Sequence, residues 1–177
     1  MIKISDFKNM GFNITWKLID IGFRMDTVFY DILMPEDILE YAISIMNKKN
    51  IPLEVTELAC EYKEDVDKIN YYINILSSKE DSDYNIEIRK WKVVYVSKKL
   101  TTPNTDYIKG LIELGDIWVK FGFPSDSPHI FQGKGNTITP EQYYTKENYK
   151  ILFNKHKEWV KQEIALIQEN DRSQKKE

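Results

Sequence analysis

Apolar residues recur every three or four positions along most of this chain, which places them on one face of successive helices. In TWKLIDIGF, Thr15 stands where an N-cap belongs and Trp16, Ile19 and Phe23 share a face, predicting a short helix. PEDILEYAISIMNKKN follows, with Pro35 at a first helical position, Glu36 and Asp37 in the first turn and Lys48 and Lys49 at the end, all matched to the helix dipole. Its buried stripe should be Ile38, Tyr41, Ala42, Ile45 and Met46. PLEVTELACEYK and EDVDKINYYINIL read as a helical hairpin, with Leu58 and Tyr62 on one inner face and Val66, Ile69, Ile73 and Leu76 on the other.

Residues 84–98 carry two periods at once. Tyr84, Ile86 and Ile88 alternate as in a strand, whereas Tyr84, Ile88, Trp91 and Tyr95 keep helical spacing, and helix is the favoured reading. The pattern then returns in DYIKGLIELGDIWVKFGF, where Ile108, Leu111, Ile112, Ile117, Trp118 and Phe121 form a broad apolar face. Gly110 and Gly115 weaken such a helix by about 1 kcal/mol each relative to Ala, which suggests close approach of a neighbour. Gly122 is placed to end it in a left-handed conformation and Pro124 cannot continue it. Phe123, Ile130 and Phe131 should fold the next loop back onto the core. Thr139, Pro140 and Gln142 form a capping-box pattern. A last helix near 146–170 buries Tyr149, Leu152, Phe153, Trp159 or Val160, Ile164 and Ile167, with His156 on the same stripe.

These elements predict a mainly α protein: one helical domain over residues 1–170, a bundle or array of about six to seven helices, an irregular loop near 122–139 and a frayed tail at 171–177. A chain of 177 residues that is 42% hydrophobic can fill such a core. No apolar run approaches the roughly 20 residues of a membrane span, and the first residues lack the regions of a signal peptide. A cytoplasmic protein without a membrane role is the expectation. One cysteine, Cys60, allows no internal disulfide and is read as structural.

The net charge of −3 hides an uneven distribution. Pro52 to Glu87 holds ten acids against three lysines, and Arg89 to Lys109 holds six basic residues against Asp106. Segregation of this kind can build a face that steers a partner of opposite sign. Glu54, Glu57, Glu61, Glu64, Asp65 and Asp67, on the outside of the hairpin, are the candidate partner-binding residues. The basic stretch, with Trp91 and Tyr95 interleaved, suits nucleic acid, but the overall acidity argues against a general phosphate binder.

Motifs that carry chemistry are few. HExxH, CxxC, GxSxG and GxxxxGK[ST] are absent, FQGKGN reads as a flexible turn, and two histidines with one cysteine give no basis for a metal centre or a cofactor. No residue is assigned a catalytic role. The one alternative pocket lies under the loop of DIWVKFGFPSDSPHIF, lined by Trp118, Phe121, Phe123, Asp126 and His129, with the last two as acid/base candidates.

NITWKLIDIGF, PEDILEYAI, Lys90 and Trp91, DIWVKFGFPSD and HIF together resemble the bacterial domain of unknown function 2247 family over roughly Phe12 to Trp159. The chain departs from the family's pattern at IFQGKGNTITP, where an aromatic-Met-Pro segment usually follows. The resemblance implies a largely helical cytosolic bacterial protein and brings no catalytic residues. Small acidic helical proteins of this type resemble immunity proteins of bacterial toxin systems, an analogy of form. The expected role is therefore non-enzymatic binding of a protein partner, a toxin encoded by a neighbouring gene being the concrete case. The alternative is a small enzyme with its pocket near His129.

Overall fold

The structure, a computed structural model, describes residues 1–24 and 33–173. Among these residues there are nine helices and no strand: α1 Ile4–Asn9, α2 Trp16–Phe23, α3 Pro35–Ile45, α4 Leu53–Ala59, α5 Val66–Ser78, α6 Tyr84–Leu100, α7 Tyr107–Lys120, α8 Pro140–Tyr143 and α9 Lys146–Ser173. The number exceeds the six or seven expected because two short pieces join the set. One is α1, whose Ile4 and Phe7 are buried, and the other is the single turn of α8. Contacts divide the chain into two compact units, Met1–Val94 with Leu166–Glu177, and Tyr95–Ala165.

In the first unit α2 packs on α5, α3 on α4, α4 on α5 and α1 on α3. Thr15 caps α2 by accepting from the Leu18 N–H, as its place before Trp16 predicts. The Glu80 carboxylate accepts from the Lys17 N–H at 3.0 Å, so a negative group sits at the positive end of α2. Gly22, inside α2, is needed for contact: a Cβ there would lie 1.9 Å from the Trp91 ring. That ring is fully buried, donates its indole N–H to the Leu18 carbonyl at 2.8 Å and meets Phe7 edge-on at 4.8 Å.

Pro35 opens α3 as expected, but the helix stops at Ile45, so Lys48 and Lys49 lie beyond its last turn. Within its predicted stripe Ile38 and Ala42 are buried, while Tyr41, Ile45 and Met46 are half-buried. Tyr62 is a plain correction. Because α4 ends at Ala59, Tyr62 falls in the connection and is 74% exposed instead of lying beside Leu58. Val66, at the first position of α5, is also exposed, whereas Ile69, Ile73 and Leu76 line the core.

The ambiguous 84–98 segment is helical, and its double period has a physical cause. Trp91, Val93, Val94, Tyr95 and Val96 are all buried, so the 91–96 stretch of α6 is enclosed on several sides and shows neither period cleanly, while Tyr84 at its start is exposed.

The second unit begins within α6. Asp106 caps α7 through the Ile108 and Lys109 N–H groups, and Gly110 makes the close approach suggested for it, since a Cβ there would meet the Tyr149 ring at 2.5 Å. Leu111, Ile117 and Trp118 are buried; Ile108 and Ile112 face outward instead, the predicted apolar face being wider than the buried one. Gly122, at φ 69°, ends α7 with its N–H on the Val119 carbonyl and the Phe123 N–H on the Trp118 carbonyl. Thr139 and Gln142 complete the capping box of α8. Along α9, Leu152, His156, Trp159 and Ile167 are buried, and Phe153 and Val160 are half-buried. The helix runs to Ser173, and Asp171, assigned from sequence to a frayed tail, is only 4% exposed. The rest of that tail, 174–177, lies outside the described residues.

Candidate functional site

The six acids of α4, its following turn and the start of α5 divide into two sets. Glu54 is paired with Lys79 at 2.5 Å, and the hydrogen bond from that ammonium holds its carboxyl below the usual range. Lys68 takes two more, bonding Glu61 at 3.1 Å and Asp65 at 3.3 Å, and these bonds raise its own pKa. Glu57, Glu64 and Asp67 are exposed and meet no basic side chain among the described residues. Lys63, which stands beside Glu64 in sequence, pairs instead with Glu36 at 3.3 Å.

The same segment carries large exposed side chains that sequence reasoning missed. Tyr62 is 74% and Tyr71 61% exposed, and Leu53 and Val66 are exposed with them. Tyr71 packs edge-on against Tyr72 at 5.4 Å. The Tyr72 hydroxyl is pushed up in pKa, by burial first and then by the charges of Glu57 and Glu61, which places both acids near the tyrosine pair. A signal for this existed. Adjacent residues on a helix point about 100° apart, so in YY at 71–72 one ring has to leave the buried face.

Not every acid of the segment is available. Glu87, counted from sequence with the acidic run, and Lys90, counted with the basic run, are both buried. The Lys90 ammonium lies 3.3 Å from Glu87 Oε1 and 3.0 Å from Asp171 Oδ1, and donates to the Asn13 carbonyl at 3.1 Å. The other Asp171 oxygen accepts from the Asn13 N–H at 2.8 Å. Burial raises the Glu87 pKa against the opposing pull of Lys90. This cluster joins segments 77 and 158 positions apart and holds two carboxylates on one ammonium.

The pocket proposed from sequence lies in the second unit, and its five residues separate. Trp118 is fully buried and donates its indole N–H to His156 Nε2 at 2.6 Å, while His156 Nδ1–H donates to the Leu152 carbonyl at 2.6 Å. His156 is therefore a neutral, satisfied imidazole, and burial lowers its pKa. Phe121 packs edge-on against Tyr95 and Trp118. Phe123 and His129 line a surface recess of about 310 Å³ with Pro124, Ser125, Ser127, Ile130, Phe131 and Lys134. Asp126 is exposed and is not among the lining residues.

His129 is 7% exposed, packs on His156 and Phe131, and shares a hydrogen bond with the Tyr143 hydroxyl at 2.9 Å. Gly115 makes room for it, as a Cβ there would stand 3.3 Å from Nε2. Burial, with the neighbouring His156, depresses its pKa to about 3. A base so weak is far from the near-neutral value that proton transfer favours, and Asp126 does not line the recess to assist it. Phe123 and Ile130 do not fold onto the core as expected. Both are exposed, and Phe123 packs on Phe131 at 4.8 Å instead.

No three His, Cys, Asp or Glu side chains converge as metal ligands among the described residues, and among them no helix is long and apolar enough to cross a membrane. No curated protein and no solved structure matches this chain. The sequence profile of an uncharacterised protein conserved in bacteria, DUF2247, matches residues 4–164, a span that reaches past the resemblance at both ends. By that match over most of its length, this mainly α chain belongs to the DUF2247 family.

Proposed function

We propose that this protein works by binding another protein through the face built from α4, the turn after it and α5. The observation that carries the reading is the company of Tyr62 and Tyr71, both largely exposed, with Glu57, Glu64 and Asp67, which no lysine or arginine among the described residues neutralises. Tyrosine is enriched at the centres of protein interfaces because a rigid ring buries much area with little loss of side-chain entropy. Uncompensated carboxylates around such rings attract a basic surface and speed its encounter. The partner is therefore a protein that presents Lys and Arg.

In its most concrete form the role is that of an immunity protein in the bacterial cytoplasm, covering the basic active surface of a toxin encoded beside it. The test is co-expression with the product of the adjacent gene, scoring growth, followed by co-purification at low and high salt. The expected result is that the neighbour stops growth alone, that this chain restores it, and that the complex weakens as salt rises. A harmless neighbour that does not co-purify would remove the immunity form. A stable complex unaffected by reversing Glu57, Glu64 and Asp67 would remove this face from the account.

A further inference from the structure

The recess beside His129 has a chemistry of its own, apart from the acidic face. Among the described residues its lining holds one cation, Lys134, and no carboxylate. The Lys134 ammonium stands 3.7 Å from the centre of the Phe123 ring and 5.7 Å from that of Phe131. Ring faces attract a cation without neutralising it, so the positive charge stays open to an anion. Two phenyl rings, Phe123 and Phe131, meet at 72° on the same wall, with Pro124 and Ile130 beside them.

Two further features set the recess apart from an ordinary loop hollow. Phe123 has φ 55°, a left-handed conformation that an aromatic residue rarely adopts, and this backbone carries its ring to Phe131 and Lys134. Strain of this kind collects at ligand clamps. His129, more than nine-tenths buried and one of the lining residues, also has its Nδ1 without a partner, while Nε2 is satisfied by Tyr143. When the Tyr143 hydroxyl donates to Nε2, the imidazole proton is on Nδ1, a buried donor with no partner among the described residues.

We propose that this recess binds a small aromatic carboxylate, its ring against Phe123 and Phe131 and its charge on Lys134, beside the buried His129 imidazole. A volume of about 310 Å³ suits a single ring with a short acid arm. An aliphatic or cationic ligand would leave the ring wall or the ammonium unmatched.

The test titrates benzoate and phenylacetate, and separately their uncharged amides, into the intact protein while following the His129 imidazole nitrogens by NMR. The expected result is a saturable shift of His129 with a carboxylate, and at least about tenfold weaker binding of the matching amide. Lys134→Gln, an exposed position that leaves the core untouched, should weaken the carboxylate about tenfold and leave the amide unchanged. No shift with either acid up to about 10 mM, or equal binding of acid and amide, would overturn the proposal. Signals from Tyr62 and Tyr71 serve as the control, since the acidic face takes no part.

Discussion

The first unit uses carboxylates in two opposite ways. Glu87 and Asp171 are buried around Lys90, where removal from water is offset by a shared ammonium and by bonds to Asn13. Among the described residues Glu57, Glu64 and Asp67 stay exposed without a basic partner, although Lys68 and Lys79 between them neutralise Glu54, Glu61 and Asp65. The difference teaches that charge counted along a sequence is not charge offered to a partner. The buried set joins three distant segments and gains nothing from a ligand. The exposed set contributes little to folding, and under the proposed function its field acts on a partner.

The comparison breaks most sharply at Lys90. Lys90→Met removes the ammonium that two buried carboxylates share and should cost about 3–5 kcal/mol, read from the urea midpoint. A loss below about 1 kcal/mol would mean that the cluster is hydrated or dispensable.

The two histidines, buried without charge, offer a third arrangement to set beside those two. Both have pKa values lowered from the ordinary 6.5, His129 to about 3, so the unfolded chain takes up protons that the native protein refuses. Their contribution to stability is present above 6.5 and lost as pH falls towards the native values. Over the first pH unit below 6.5, where exposed carboxylates remain ionised, His129 should remove about 1 kcal/mol, and His156 acts in the same direction. A flat urea midpoint across that window would place the imidazoles in contact with water.

A smaller effect belongs to the helix ends. Thr15→Ala deletes the bond to the Leu18 N–H and should cost about 1 kcal/mol, measurable by thermal melting, with no change in partner binding. The smallest change in stability is expected for Glu57, Glu64 and Asp67 all changed to Lys, within about 0.5 kcal/mol of the parent. The same triple change should slow association with a basic partner by about tenfold or more and reverse the salt dependence of the rate. Lys90→Met and the triple variant thus separate the two uses of charge, one acting on folding and the other on encounter.

Local signals were legible without the structure. Thr15 and Thr139 cap helices through side chains that reach only three residues ahead, and Gly122 ends α7 through its own φ. Gly110 also announced a close neighbour, though not that the neighbour is Tyr149. What escaped depends on partners far away in sequence. Lys90 looked like part of a basic surface because nothing near it reveals Asp171, and His129 finds Tyr143 across 14 positions. Tyr62 was misplaced by a boundary, since extending α4 past Ala59 turns an exposed ring into a buried one. The acidic face was legible as composition, but which three of its six acids remain unpaired depends on where Lys68 and Lys79 reach.

The central claim is that α4, the turn after it and α5 form the docking face. Hydrogen exchange of this protein, alone and with the co-purified product of the adjacent gene, tests it most directly. The account predicts slowed exchange over residues 53–78, with Tyr62 and Tyr71 inside the protected stretch and protection weakening as salt rises. Unchanged exchange there, with protection appearing on α7 or α9 instead, would contradict it.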